Sequence, residues 1–164
     1  MEPILLFTDG SCLDNQKGRK SIGFGGYGGF ILYNKETMRK CTYYDELEPD
    51  NATNNIGELL GLKLGLELIM KKEMKNSTKR FIHVYTDSKY VIDNYTKHIK
   101  KWIDNNWTRT NGGEIKNLEI IQETYYLMQE CEHKIIFHHC KAHTTEPRDK
   151  SSMEWCIWNG NNQA

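Results

Sequence analysis

The 164-residue sequence holds no apolar run near the roughly 18–20 residues of a membrane-spanning helix. It has no net charge, 22 Lys and Arg standing against 22 Asp and Glu, and it has no CxxC pair. The first absence argues against a bilayer-spanning helix. The second removes a global field that would steer the chain to polyanions, so any such binding must come from local patches. The third, with an odd five cysteines (Cys12, Cys41, Cys131, Cys140 and Cys156), favours a reduced intracellular chain over a disulfide framework. No linker and no internal repeat interrupts the sequence, and the length suits one domain with a full core. The acidic N-terminus runs directly into a strand pattern, which is unlike a signal peptide.

What is present reads as an α/β domain. Residues 4–8 form an apolar strand, and a second strand starts among Gly23, Gly25, Gly26, Gly28 and Gly29 and runs to Tyr33. A turn at Asn34-Lys35-Glu36 returns the chain as a third strand over 38–44. The pattern predicts a helix over 56–74, with Gly57, Gly61 and Gly65 recurring every fourth residue. Each glycine costs about 1 kcal/mol of helix stability relative to alanine, a cost that makes sense where a helix lies close on a sheet. A fourth strand covers 80–86. Two short helices follow over 88–96 and 97–105, then a loop over 108–114, a helix over 115–130, a fifth strand over 134–139 and a polar loop over 144–152. The order β-β-β-α-β-α-α-β predicts a single-domain α/β fold with a five-stranded mixed sheet flanked by helices.

Three acidic residues stand out. Asp9 follows Ile4-Leu5-Leu6-Phe7-Thr8, and Asp87 follows Phe81-Ile82-His83-Val84-Tyr85-Thr86. Glu58 lies on the same helical face as Leu62, Leu66 and Ile69. Singly, Asp9 fits an Asp-Gly turn, Asp87 a helix N-cap and Glu58 a capping box. Together they fit better as carboxylates converging where ligands bind in open α/β sheets, beyond the carboxyl ends of the strands. Converging carboxylates repel unless a cation lies between them. An all-oxygen donor set points to Mg²⁺, with Mn²⁺ possible, and such ions held in pairs serve phosphodiester hydrolysis.

Thr8-Asp9-Gly10-Ser11-Cys12, Thr53-Asn54-Asn55-Ile56-Gly57-Glu58-Leu59, Thr86-Asp87-Ser88-Lys89-Tyr90 and Lys141-Ala142-His143 together resemble the motif series of type 1 ribonuclease H. The glycine-rich second strand, Ile115-Lys116-Asn117-Leu118 and Gly160-Asn161 match in the same order. The resemblance implies an RNase H-like fold and an endoribonuclease that cuts the RNA strand of RNA–DNA hybrids with two Mg²⁺ ions, leaving 5′-phosphate and 3′-hydroxyl ends. It makes Asp9, Gly10, Glu58 and Asp87 the metal site, with Glu58 also beside the scissile ribose. His143 becomes a proton shuttle, a task suited to an imidazole near neutral pH.

The same resemblance assigns Asn15, Thr53, Asn54 and Asn55 to the hybrid's minor groove and phosphates. Lys97, Lys100 and Lys101 with Trp102 resemble a basic protrusion that grips the DNA strand, although a solvated amphipathic helix explains them equally well. No obligate protein partner is evident, and the expectation is a monomer in the cytoplasm or nucleus, or in a host cell for a viral source. The family tail has the form G-N-x-x-A-D at the start of a final helix, and this chain reads Gly160-Asn161-Asn162-Gln163-Ala164. The expectation is therefore one domain over 1–164, cut just before a fourth catalytic carboxylate and lacking the final helix. The alternative reading is a hybrid-binding module with impaired catalysis. A sugar- or acetate-kinase-like phosphotransferase, which also uses Asp-Gly before a hairpin, would need two such domains. Zinc at His138, His139, Cys140 and His143 is disfavoured, because neighbours in a strand point to opposite faces.

Overall fold

The computed structural model describes residues 2–12, 25–48, 53–73, 79–141 and 144–164. Its elements in chain order are β1 (Ile4–Cys12), β2 (Gly25–Asn34), β3 (Arg39–Glu46), α1 (Asn54–Glu73), β4 (Phe81–Thr86), α2 (Lys89–Asp93), α3 (Ile99–Asp104), α4 (Leu118–Glu130), β5 (Lys134–His139) and α5 (Met153–Gln163). One five-stranded sheet runs in the order β3-β2-β1-β4-β5. The β1–β2 and β2–β3 pairs are antiparallel, and the β1–β4 and β4–β5 pairs are parallel. The mixed five-stranded α/β sheet expected from the sequence is therefore present.

The apolar runs of β1 and β2 are continuous because helices cover both sheet faces. Alternate residues of β1 serve opposite layers. Ile4 and Leu6 join Ile31, Leu59, Leu62, Leu66, Ile69, Ile82 and Val84 in the larger core. Leu5 and Phe7 join Phe30, Leu32, Tyr85 and Cys156 on the other side. Each such large aliphatic or aromatic side chain, fully buried, contributes about 1.5–3 kcal/mol before entropy is counted. The glycine stripe of α1 faces the sheet as its spacing suggests. A Cβ added at Gly61 would lie 3.2 Å from the Asp9 carbonyl oxygen. One added at Gly10 would lie 2.4 Å from the Gly57 backbone carbon, so α1 and β1 touch backbone to backbone beside the acidic residues.

Four local expectations are corrected. β1 does not end at Thr8; it runs to Cys12, with Asp9, Gly10, Ser11 and Cys12 paired to Gly28, Tyr27, Gly26 and Gly25. Residues 88–105 are not two simple helices, since a π-helical turn over Asn94–His98 joins α2 to α3. α4 starts at Leu118 rather than at 115, because Asn117 takes a left-handed conformation (φ 60°) that an α-helix cannot contain. The final helix, expected to be missing, is present as α5. Its Ser152 hydroxyl caps the helix by accepting the Trp155 amide (3.0 Å), and Cys156 and Gly160 are buried on its sheet side. Gly160 lets α5 cross β1 closely, since a Cβ there would sit 2.3 Å from the Phe7 ring.

Candidate metal centre

The parallel pairing of β1 and β4 sets Phe7 opposite Tyr85, so Asp9 and Asp87 lie two residues beyond the same rung on neighbouring strands. β1 continues past that rung against β2 alone, and β4 turns away into a bend. Both carboxylates thus stand at the step where the sheet splits. Glu58 comes from the opening of α1, where the Thr53 hydroxyl accepts the Ile56 amide (3.1 Å) and the Thr53 carbonyl accepts the Gly57 amide. The Gly10–Gly57 contact brings that helix end down onto β1.

As a result Asp9, Glu58 and Asp87 each offer a carboxylate oxygen within 4.8 Å of the other two, and among the described residues they are the one such group suited to a metal ion. Asp9 is exposed, Asp87 half-buried and Glu58 buried. Burial, then the charges of Asp9 and Asp87, push the Glu58 carboxyl up to about 8, against an opposing hydrogen bond from the Gly10 backbone. Its Oε2 is buried without a hydrogen-bond partner. A buried, unpartnered carboxylate oxygen facing two further carboxylates fits a hard divalent cation, and the donor set excludes a thiolate or imidazole zinc cage. Among the sequence-predicted metal ligands, Gly10 contributes structure here: its amide lies 2.9 Å from Asp9 Oδ1.

The remaining site candidates separate. Thr53, Asn54 and Asn55 sit at the α1 N-terminus next to Glu58. Asn15 and His143 lie outside the described residues. Lys97, Lys100 and Lys101 are exposed on the π-turn and α3, with Lys97 ion-paired to Asp93 at 3.3 Å. Trp102 packs partly into the larger core and stacks on His98 (ring centroids 5.5 Å), so its ring is only partly available. His138 and His139 diverge. His138 stacks on Tyr85 and shares a 2.7 Å N···N contact with His83, whereas His139 Nε2 donates to the Asp87 carbonyl (3.2 Å).

No local pattern marks Cys140 as a neighbour of the acidic residues. Its thiol is pushed up to about 11 by burial, then by the charges of Asp87 and Asp9. Its amide donates to the Thr86 carbonyl (2.9 Å), and its Sγ lies 3.4 Å from Asn161 Oδ1 on α5. The available signal was Gly160-Asn161 in the tail, but only the position of α5 connects it to the carboxylates.

Known proteins resemble this chain in sequence and in fold. The family model described as RNase H matches residues 1–154. A relative named Ribonuclease H from Orientia tsutsugamushi (strain Boryong) is 34% identical over 142 residues, covering 87% of this chain and 73% of that protein. Ribonuclease HI of Rickettsia prowazekii (strain Madrid E) is 29% identical over 87% of this chain and 80% of its own. Among solved structures, LC9-RNase H1, a type 1 RNase H with the type 2 active-site motif, superposes with a TM-score of 0.68 at 22% identity. That match covers 86% of this chain and 64% of LC9-RNase H1. The PFV RNase H domain gives 0.65 at 20% identity, covering 98% of this chain and 88% of the domain. These structural likenesses support the fold.

Proposed function

Since the chain belongs to the ribonuclease H family, we propose that it is an endoribonuclease that hydrolyses the RNA strand of RNA–DNA hybrids, leaving 5′-phosphate and 3′-hydroxyl ends. The observation that carries this reading is the convergence of Asp9, Glu58 and Asp87 with an orphaned Glu58 oxygen. These three residues would hold two divalent ions, Mg²⁺ in preference to Mn²⁺. When bound, such ions supply positive charge for the scissile phosphate and a water activated near neutral pH.

The chain's own residues do the rest. Asp9 and Asp87, at the open step of the sheet, face the phosphate side. Glu58 reaches the same point from below and lies beside the ribose whose 2′-hydroxyl distinguishes RNA from DNA. Thr53, Asn54, Asn55 and Asn15 supply uncharged contacts to the minor groove and phosphates. Lys97, Lys100 and Lys101 give a local basic patch on a chain with no net charge. His143 relays a proton during product release. The protein is read as an intracellular monomer; among the described residues no helix is long and apolar enough to cross a membrane.

The test is cleavage of an RNA–DNA hybrid, double-stranded RNA and double-stranded DNA with Mg²⁺. It compares the 164-residue chain, the same chain with one aspartate added after Ala164, and Asp87→Asn in each. Cleavage restricted to the hybrid's RNA strand and lost in Asp87→Asn is expected. A lengthened chain that leaves the hybrid intact, while its Asp87→Asn variant binds it equally well, contradicts the nuclease reading.

A further inference from the structure

The three carboxylates of the metal centre are not held alike. Asp9 lies within β1, paired across to Gly28, and Glu58 lies within α1. Asp87 stands in neither a strand nor a helix. β4 ends at Thr86, the chain bends, and α2 starts at Lys89. No ladder of main-chain bonds fixes the backbone at such a corner. A carboxylate swings with the peptide that carries it, so Asp87 needs an anchor of another kind.

β5 supplies most of that anchor. The Cys140 amide donates to the Thr86 carbonyl (2.9 Å). The Ser88 amide donates to the Thr86 hydroxyl (3.1 Å), which shapes the corner from within. The Asp87 carbonyl itself lies past the last rung of the β4–β5 ladder, where Thr86 stands opposite His139. There a side chain meets it: His139 Nε2 donates to the Asp87 carbonyl at 3.2 Å. A carbonyl oxygen only accepts, so Nε2 carries the hydrogen whether the ring is neutral or cationic. The bond therefore survives either charge state of the imidazole. His139 is exposed and adds little to the core, whereas its neighbour His138 turns to the opposite face and stacks on Tyr85.

We infer that His139 is a positioning residue for the metal centre: its Nε2–H pins the Asp87 carbonyl and so sets the direction in which the Asp87 carboxylate meets Asp9 and Glu58. It acts through Asp87 rather than on the ion. The inference rests on the reading of these three carboxylates as holders of a divalent cation, and it adds a residue from β5 to what builds their geometry. Hydrogen-bond partners behind a metal ligand commonly govern affinity by about 10–100-fold.

The experiment is titration calorimetry of Mg²⁺ into the 164-residue chain and two variants, without substrate. His139→Phe keeps a flat ring and removes the donor. His139→Gln places an amide N–H near the position of Nε2. His139→Phe should weaken Mg²⁺ binding about tenfold, the lower end of the range for such partners. His139→Gln should keep the parent's affinity, a rescue that a packing role would not give. In hybrid cleavage, the Mg²⁺ concentration for half-maximal rate should rise by the same factor in His139→Phe, with KM for the hybrid unchanged at saturating Mg²⁺. Thermal midpoints in metal-free buffer should stay near that of the parent. If His139→Phe does not fold, His139→Ala removes the donor without adding bulk and should give the same shift. Unchanged Mg²⁺ affinity in the variant lacking the donor, or equal losses in His139→Phe and His139→Gln, overturns the inference and leaves the metal reading intact. If the parent chain binds no Mg²⁺, the metal reading fails and the inference falls with it.

Discussion

The two ends of α1 bury a glutamate each and treat it in opposite ways. Glu58, in the second turn, is 8% exposed, and its Oε2 has no partner among the described residues. Glu73, the last residue of the helix, is 5% exposed and meets two arginines: Arg39 at 2.7 Å and the equally buried Arg80 at 3.4 Å. Arg80 is itself satisfied further, donating from Nε to the Glu2 carbonyl (2.8 Å) and to the Tyr33 carbonyl. A buried charge is tolerated only when paired. At the structural end of the helix the chain supplies its own cations. At the other end it gathers two more carboxylates instead, so Glu58 is ionised at neutral pH only when a positive charge comes from outside. That contrast distinguishes a site from a strut on a single helix.

The comparison can be broken in order of expected size. Asp87→Asn or Asp9→Asn should lower hybrid cleavage on the order of a thousandfold, the several kcal/mol that metal-held charge supplies to a transition state. Neither change should reduce stability in metal-free buffer, because each relieves repulsion; urea unfolding of the same proteins checks this. Arg80→Met should do the reverse. It strands Glu73 with half of its partnership and should cost about 3–5 kcal/mol in urea unfolding, leaving the chemistry of whatever folded protein remains unaltered.

Glu58→Gln gives a pH signature. The folded carboxyl is raised from 4.5 to about 8. Its neutral form is therefore favoured by folding, and this contribution is complete below about pH 4.5 and lost as pH rises toward 8. Metal-free wild-type protein should lose stability across that window by up to about 4 kcal/mol relative to Glu58→Gln, and the two curves should converge in acid. The smallest effect is expected at the α5 cap. Ser152→Ala should cost about 1 kcal/mol, visible as a lowered thermal midpoint.

The acidic cluster was more legible in the sequence than the scaffold around it. Asp9, Glu58 and Asp87 could be found because each breaks a local pattern, two by closing apolar runs and one by occupying an apolar helical face. The same local view misplaced the end of β1, because whether Asp9-Gly10 turns or continues depends on the glycines of β2 opposite. It placed the start of α4 three residues early, because Ile115 is buried without being helical and Asn117 stops the helix by its conformation. α5 was missed because its sheet side is carried by few residues, chiefly Cys156 and Gly160, and it shows little apolar periodicity. The Glu73–Arg80–Arg39 cluster and the bond from His139 to the Asp87 carbonyl join residues far apart in sequence, which no local pattern can reveal. Asn15 and His143 lie outside the described residues and stay as proposals.

The most direct measurement is the proton count when Mg²⁺ binds at pH 7, from titration calorimetry in two buffers of different ionisation enthalpy. With the carboxyl near 8, Glu58 is about nine-tenths protonated at that pH and must lose its proton to hold a cation. The account predicts release of close to one proton per chain in the wild type and almost none in Glu58→Gln. Binding with no proton release, or equal release by the two proteins, would contradict it.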